Sequence, residues 1–195
     1  MRIGIYGGVD CGCVHDRSIA YIGVDRGVEF LIQQGIHPIL AIGDMDSLQD
    51  HSFLQQLNIK TYPCQKDDTD TALALDYALT HGYHHIDLYG VTKKRQDHFM
   101  AVLCLLRKYR DNDICIYDEY NKIYLLKAGH HHILKDDYQY FSLFALKDTD
   151  VTLKGCHYPL NHYLLKPDDP LCVSNEMDDM LDIEISEDVL FFQTR

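Results

Sequence analysis

Ile39-Leu40-Ala41-Ile42-Gly43-Asp44-Met45-Asp46-Ser47 opens the stretch, residues 39–79, on which the reading of this chain turns. It resumes at Lys66-Asp67-Asp68-Thr69-Asp70-Thr71-Ala72-Leu73. The short apolar run predicts a buried strand, ended by Gly43. Asp44 and Asp46 stand two apart, so in extended backbone both carboxylates point to the same side. Ala72, Leu75 and Leu79 recur at helical spacing, which predicts a helix from near Asp70. Strand ends that meet helix starts are where open α/β sheets bind ligands. Asp44, Asp46, Asp67, Asp68 and Asp70 gathered there repel one another; two carboxylates about 4 Å apart cost about 4 kcal/mol at an effective dielectric of about 20. Something cationic must offset that, and Mg²⁺ carrying a polyphosphate is the expected candidate.

Upstream, residues 2–7 read as a first strand closed by Gly7-Gly8, which is either a phosphate loop or a plain turn. Tyr21-Ile22-Gly23-Val24-Asp25-Arg26-Gly27 reads as a second strand ending in an acid. A helix is predicted over 28–34, with Phe30 and Leu31 buried and Gly35 as its stop. Asp25, Asp44 and Asp46 therefore all lie just past strand ends. One such acid is ordinarily a cap or a turn residue, and Asp70 by itself could cap the helix that follows it. The set sharing one sheet edge points instead to a metal site.

Downstream, Ile86-Asp87-Leu88-Tyr89-Gly90 predicts another strand. After Val91-Thr92-Lys93-Lys94-Arg95-Gln96-Asp97-His98 a helix runs to about Arg107, burying Phe99, Val102, Leu103 and Leu106. The basic triplet stands before a helix N-terminus, where anions are favoured. Arg95 is placed either to fork onto phosphate oxygens or to sit in a solvated loop. Residues 114–118 make the last strand of this half.

From about Tyr120 the strand–helix alternation gives way to short β-rich runs at 123–126, 140–144, 151–153 and 181–185. The expected architecture is α/β, with a parallel-sheet domain over residues 1–120 and a smaller all-β domain over 121–195. His130-His131-His132 stands at a strand start; adjacent strand residues alternate faces, so the three cannot all converge on one metal, and an exposed edge strand is the preferred reading.

The chain has 195 residues and a net charge of −12, which argues against nucleic acid or an anionic membrane as partner. That balance does not exclude ATP, because a bound metal inverts the local sign. No apolar run is long enough to span a bilayer, and the N-terminus does not read as a signal peptide. Seven cysteines without a framework spacing suit reduced thiols in a cytoplasm.

Six segments in order resemble thiamine pyrophosphokinases over nearly the whole length. They are Asp25-Arg26-Gly27, Gly43-Asp44-Met45-Asp46-Ser47, Lys66-Asp67-Asp68-Thr69-Asp70, the segment 90–98, the Gly-x-x-Tyr-x-Leu at 155–160, and Ser174-Asn175-Glu176. The resemblance implies transfer of a pyrophosphoryl group from ATP to the hydroxyl of thiamine, giving AMP and thiamine diphosphate. It implies an α/β catalytic domain, a sandwich-like thiamine-binding domain, and a homodimer with active sites near the subunit interface. On this footing Asp44, Asp46 and Asp70 are expected to hold Mg²⁺, and these three with Asp97 to be the catalytic acids. ATP contacts are expected from Asp25, Lys66, Asp67, Thr69, Arg95 and His98. Asp25 and Asp97 are candidates for a further metal contact or for orienting the thiamine hydroxyl. His98 is a candidate base, or simply a hydrogen-bonding residue at a helix start. Tyr158, Ser174 and Asn175 are expected to line the thiamine pocket; with no tryptophan in the chain, stacking falls to Tyr or Phe. Lys93-Lys94 depart from the family's usual glycine pair, bringing charge where glycine brings conformational freedom, and Val102 stands where the family has Asn. Rival readings are a pyrophosphokinase for another alcohol, a weakly catalytic thiamine-binding protein, and a metal-dependent phosphohydrolase.

Overall fold

Strands buried on both faces must be apolar throughout, and the first half of the chain supplies such runs at regular intervals. A computed structural model describes residues 1–12, 14–43, 59–60 and 68–195. The chain forms two compact units, Met1–Glu119 and Tyr120–Arg195. In the first, the elements follow one another as β1 (Arg2–Tyr6), β2 (Ala20–Val24), α1 (Gly27–Gln33), β3 (Leu40–Ile42), β4 (Ile59–Lys60), α2 (Asp70–Thr80), β5 (His85–Tyr89), α3 (Gln96–Lys108) and β6 (Asp113–Tyr117).

All six strands pair in parallel, in the order β6-β5-β1-β2-β3-β4. The chain runs outward from β1 to β4, then returns to lay β5 on the other side of β1. The order therefore reverses between β1 and β5, and connections leaving these two strands diverge. Such a crevice at the carboxyl ends of the strands is where open α/β sheets accept ligands.

Tyr6, Tyr21 and Tyr89 form a buried cluster with Phe30 and Leu31 of α1, with Tyr117 packed against it. In register, Tyr6 lies beside Tyr89 and Tyr89 beside Tyr117. Their rings stack at 6.0 and 5.8 Å between centroids. Gly27 lets α1 start hard against β1: a β-carbon there would fall 1.9 Å from the Tyr6 carbonyl oxygen. At the opposite end of the strands, Arg2 Nη2 meets the carboxylate of the almost fully buried Asp87 at 2.7 Å, tying β1 to β5.

The second unit contains only strands: β7 (Asn121–Leu126), β8 (Gly129–Leu134), β9 (Tyr140–Ala145), β10 (Thr149–Cys156), β11 (Leu160–Leu165), β12 (Asn175–Ile185) and β13 (Val189–Thr194). Strand β13 pairs antiparallel with β7 and β9. The long β12 joins β9 through Asn175 and Glu176, then β10 and β8 through its later residues. One apolar cluster, including Phe141, Leu143, Val151, Leu153, Ile183 and Phe191, draws on strands of both pairings. In this unit two strands escape sequence reading. Segment β11 buries only Leu165 fully, so no alternation marks it. Segment β13 opens with four apolar residues in succession, a run that periodicity cannot assign.

Candidate active site

A cavity of about 330 Å³ lies at the point where β1 and β5 part. Gly8 and Val9, after β1, and Gly90 and Val91, after β5, line it. Asp25 enters from the end of β2, Thr69 and Asp70 from the start of α2, and Lys93, Lys94, Arg95 and His98 from the start of α3 and the loop before it. Thus Asp25, Thr69, Asp70, Arg95 and His98, from three separate stretches of sequence, share one cavity.

Each is held by local structure. Asp25 adopts a left-handed backbone, φ 49°, which Asp tolerates better than most residues. Its N–H donates to the Ile42 carbonyl at 3.0 Å, joining the ends of β2 and β3. Its carboxylate crosses over Gly43: a β-carbon there would lie 2.0 Å from Asp25 Oδ1. Gly43 also has φ 134°, a conformation other residues rarely adopt. The glycines of two separate sequence motifs, Gly27 and Gly43, thus clear space for the strand ends that place Asp25.

Thr69, not Asp70, caps α2. Its hydroxyl accepts from the Ala72 N–H at 3.2 Å, and Asp70 is the first helical residue. The carboxylate of Asp70 consequently stands in the first turn, where the helix dipole favours negative charge. With the cap left to Thr69, Asp70 begins the helix and lines the cavity.

The loop between β5 and α3 is fastened to the end of β6. Thr92 Oγ1 donates to Asp118 Oδ2 at 2.6 Å, and Lys93 Nζ approaches Glu119 at 3.8 Å. Asp118 is a buried support for this loop that sequence reading did not single out, although an acid just past a strand end was the available signal. Lys94 is held at φ 70°. Arg95 forks onto Asp97 through Nε at 3.1 Å and Nη2 at 2.5 Å. That fork holds the Asp97 carboxyl down at a pKa of about 2. Asp97 itself stays exposed beside the cavity rather than lining it. Asp44, Asp46, Lys66 and Asp67 lie outside the described residues.

Residues 14–117 match the family described as Thiamin pyrophosphokinase, catalytic domain, and residues 130–190 match Thiamin pyrophosphokinase, vitamin B1 binding domain. The chain belongs to the thiamine pyrophosphokinase family. It is 36% identical to the thiamine pyrophosphokinase of Bacillus subtilis (strain 168) over 171 residues, 83% of this chain and 80% of that one. The fold agrees. A crystal structure of thiamine pyrophosphokinase from Bacillus subtilis superposes with a TM-score of 0.89 at 29% identity, covering 100% of this chain and 99% of that one. One of thiamin pyrophosphokinase from Geobacillus thermodenitrificans does so at 0.88 and 30%, covering 100% and 98%.

Within the part matching the B1-binding domain, Tyr158, Ser174 and Asn175 fall close together. Asn175 is buried, and its side-chain amide brackets Tyr158: Oδ1 accepts from the Tyr158 N–H at 3.0 Å and Nδ2 donates to the Tyr158 carbonyl at 2.8 Å. The amide is thereby spent on backbone, and it holds Tyr158, a residue 64% exposed, between β10 and β11. The His157 ring packs edge-on against it at 4.5 Å. Ser174 turns the chain into β12 at φ 56°, its N–H donating to Ser142 Oγ at 3.0 Å. In this thiamine pyrophosphokinase family member, Asn175 and Ser174 therefore shape the segment that presents an exposed tyrosine.

Proposed function

We propose that the protein transfers the β,γ-pyrophosphoryl group of ATP to the hydroxyl of thiamine. The hydroxyl oxygen attacks the β-phosphorus, the bond from that phosphorus to the oxygen bridging the α-phosphate breaks, and AMP leaves with that oxygen. The observation that carries this reading is the convergence on one cavity, at the strand-order reversal, of Asp25, Thr69, Asp70 and the triplet Lys93–Lys94–Arg95.

Pyrophosphoryl transfer needs positioning and charge neutralisation more than covalent chemistry. Carboxylates beside cationic side chains offer both, whatever the net charge of −12 on the whole chain. The hard oxygen donors of Asp25 and Asp70 fit Mg²⁺, which would supply charge neutralisation on the phosphate oxygens. Asp44 and Asp46, outside the described residues, are the further carboxylates proposed to hold it, and Lys66 and Asp67 further ATP contacts. Arg95, released from Asp97, would fork onto phosphate. Thr69 would hydrogen-bond it, and Lys94 would add charge at a loop position whose backbone is glycine-like. His98, which lines the cavity, and Asp97 beside it are the groups we assign to orienting the attacking hydroxyl or accepting its proton. In the second unit, read as sandwich-like, Tyr158 would stack on the thiamine ring, with Asn175 acting as its positioning residue and Ser174 lining the pocket. A homodimer with the active sites near its interface, in the cytoplasm, completes the proposal.

One assay tests it: incubation with ATP, Mg²⁺ and thiamine, with nucleotides and thiamine species separated by chromatography. AMP and thiamine diphosphate should appear in equal amounts, and chelation of Mg²⁺ should stop both. AMP formed only with a different alcohol would replace the acceptor. Thiamine binding without turnover would leave a binding protein, and phosphate release without any acceptor a hydrolase.

A further inference from the structure

Strand β8 carries three consecutive histidines, and the fold sorts them by face. His131 turns to the other face from its neighbours and is engaged there, its Nε2 lying 2.8 Å from the Lys127 carbonyl oxygen. His130 and His132 share the exposed face, their rings 4.7 Å apart between centroids. The antiparallel register sets Asp182 of β12 directly opposite His132, and Glu184 opposite His130. The Asp182 carboxylate reaches between the two imidazoles: Oδ1 touches Nε2 of His130 and lies 3.9 Å from Nε2 of His132. Ligand atoms of His130, His132 and Asp182 all fall within 4.8 Å of one another.

We propose that His130, His132 and Asp182 form a surface site for one zinc-class divalent cation, separate from the phosphate cavity of the first unit. Two imidazole nitrogens and one carboxylate oxygen are the donor set that zinc accepts and that Mg²⁺ does not favour. Side-chain exposures of 53% and 56% for the histidines and 31% for Asp182 leave the remaining coordination positions to water. The charges around the site favour a cation. Lys154 of β10 faces Asp182 from the other side, and the exposed Glu184 offsets it. With neutral imidazoles, the two carboxylates outweigh the one ammonium. The donors also need little ordering, since six consecutive residue pairs fix β8 on β12. Strand β8 pairs with β12 alone among the described residues. A bound ion would clamp this edge strand to its neighbour and would stabilise only the folded state.

The test uses the full chain, stripped with chelator and titrated calorimetrically with ZnCl₂ in excess Mg²⁺, so that oxygen-only sites are filled. The wild type should bind one more zinc equivalent than the double variant His130→Gln/His132→Gln, and zinc should raise its melting temperature. The double variant should bind zinc at least ~10-fold more weakly and lose the thermal shift. Asp182→Asn should weaken zinc while leaving both histidines in place. AMP formation and far-UV circular dichroism, unchanged in all variants, show that they fold. Equal stoichiometry and affinity in wild type and double variant, or a wild type that takes up no zinc, overturns the site.

Discussion

Asp70 shows how one residue's meaning depends on its neighbour. An acid before a helix is most simply a cap, yet Thr69 takes that duty and leaves the Asp70 carboxylate on the cavity wall. Asp70→Asn keeps the helix and its first-turn position. It should cut AMP formation by ~100-fold or more, as removal of a single electrostatic stabiliser commonly does, with circular dichroism unchanged. Arg95 and Asp97 make the second test at this scale. The folded Asp97 carboxyl sits at about 2, below its ordinary 3.8, because Arg95 hydrogen-bonds it. A depressed carboxyl contributes stability above its unfolded pKa, and that contribution is lost as pH falls from about 4 through about 2. Arg95→Ala should bring the Asp97 titration back toward the ordinary value, read by NMR. Both side chains are well exposed, so the pair matters more for aiming Arg95 than for stability.

Among the elements, α2 joins fold to site. Its buried face, Ala72, Ala74, Leu75 and Ala78, packs toward the sheet, while its N-terminus supplies Thr69 and Asp70 to the cavity. Thr69→Ala should cost about 1 kcal/mol through the lost cap, seen as a lower urea midpoint, and should also weaken ATP binding. Thr69→Ser keeps a hydroxyl for the cap and should recover most of both. The loop before α3 behaves differently. It is anchored by Thr92 on Asp118 rather than by a cap, since no side chain caps α3. Lys94, at φ 70°, carries a left-handed backbone that costs roughly 1–2 kcal/mol outside glycine. That cost is the counterpart of placing an ammonium at the cavity.

Across the molecule, contacts between residues far apart in the chain set the geometry of the crevice. Arg2 and Asp87 are 85 residues apart and clasp β1 to β5, the pair of strands whose outgoing connections diverge around the cavity. Burial pushes the Asp87 carboxyl up despite Arg2, so its ionised form weighs against the fold as pH rises. Arg2→Ala removes the partner and leaves that carboxylate buried. We expect a loss of about 2 kcal/mol at neutral pH, below the ~3–5 kcal/mol of a fully buried pair because Arg2 is nearly half exposed. The loss should shrink at acid pH, where the raised Asp87 carboxyl is protonated and no longer needs its partner. Urea unfolding of both proteins at two pH values reads the difference. No helix among the described residues is long and apolar enough to cross a membrane. No disulfide links the cysteines described.

The sequence alone settled what depends on local pattern and chemical type. Strand–helix alternation up to residue 117, the change to strands without helices beyond it, and the family signature of acids, glycines and tyrosine were all legible. Local apolar periodicity and turn residues carry those signals, and they need no knowledge of distant partners. Only the tertiary structure decided which acids share a cavity, because register and strand order, not spacing, bring Asp25 to Asp70. It alone assigned the cap to Thr69, spent the Asn175 amide on Tyr158, and turned Asp118 into the anchor of a distant loop. The histidine run makes the same point. Alternation told that neighbours must part, but only the pairing of β8 with β12 set a carboxylate between the two that remain together.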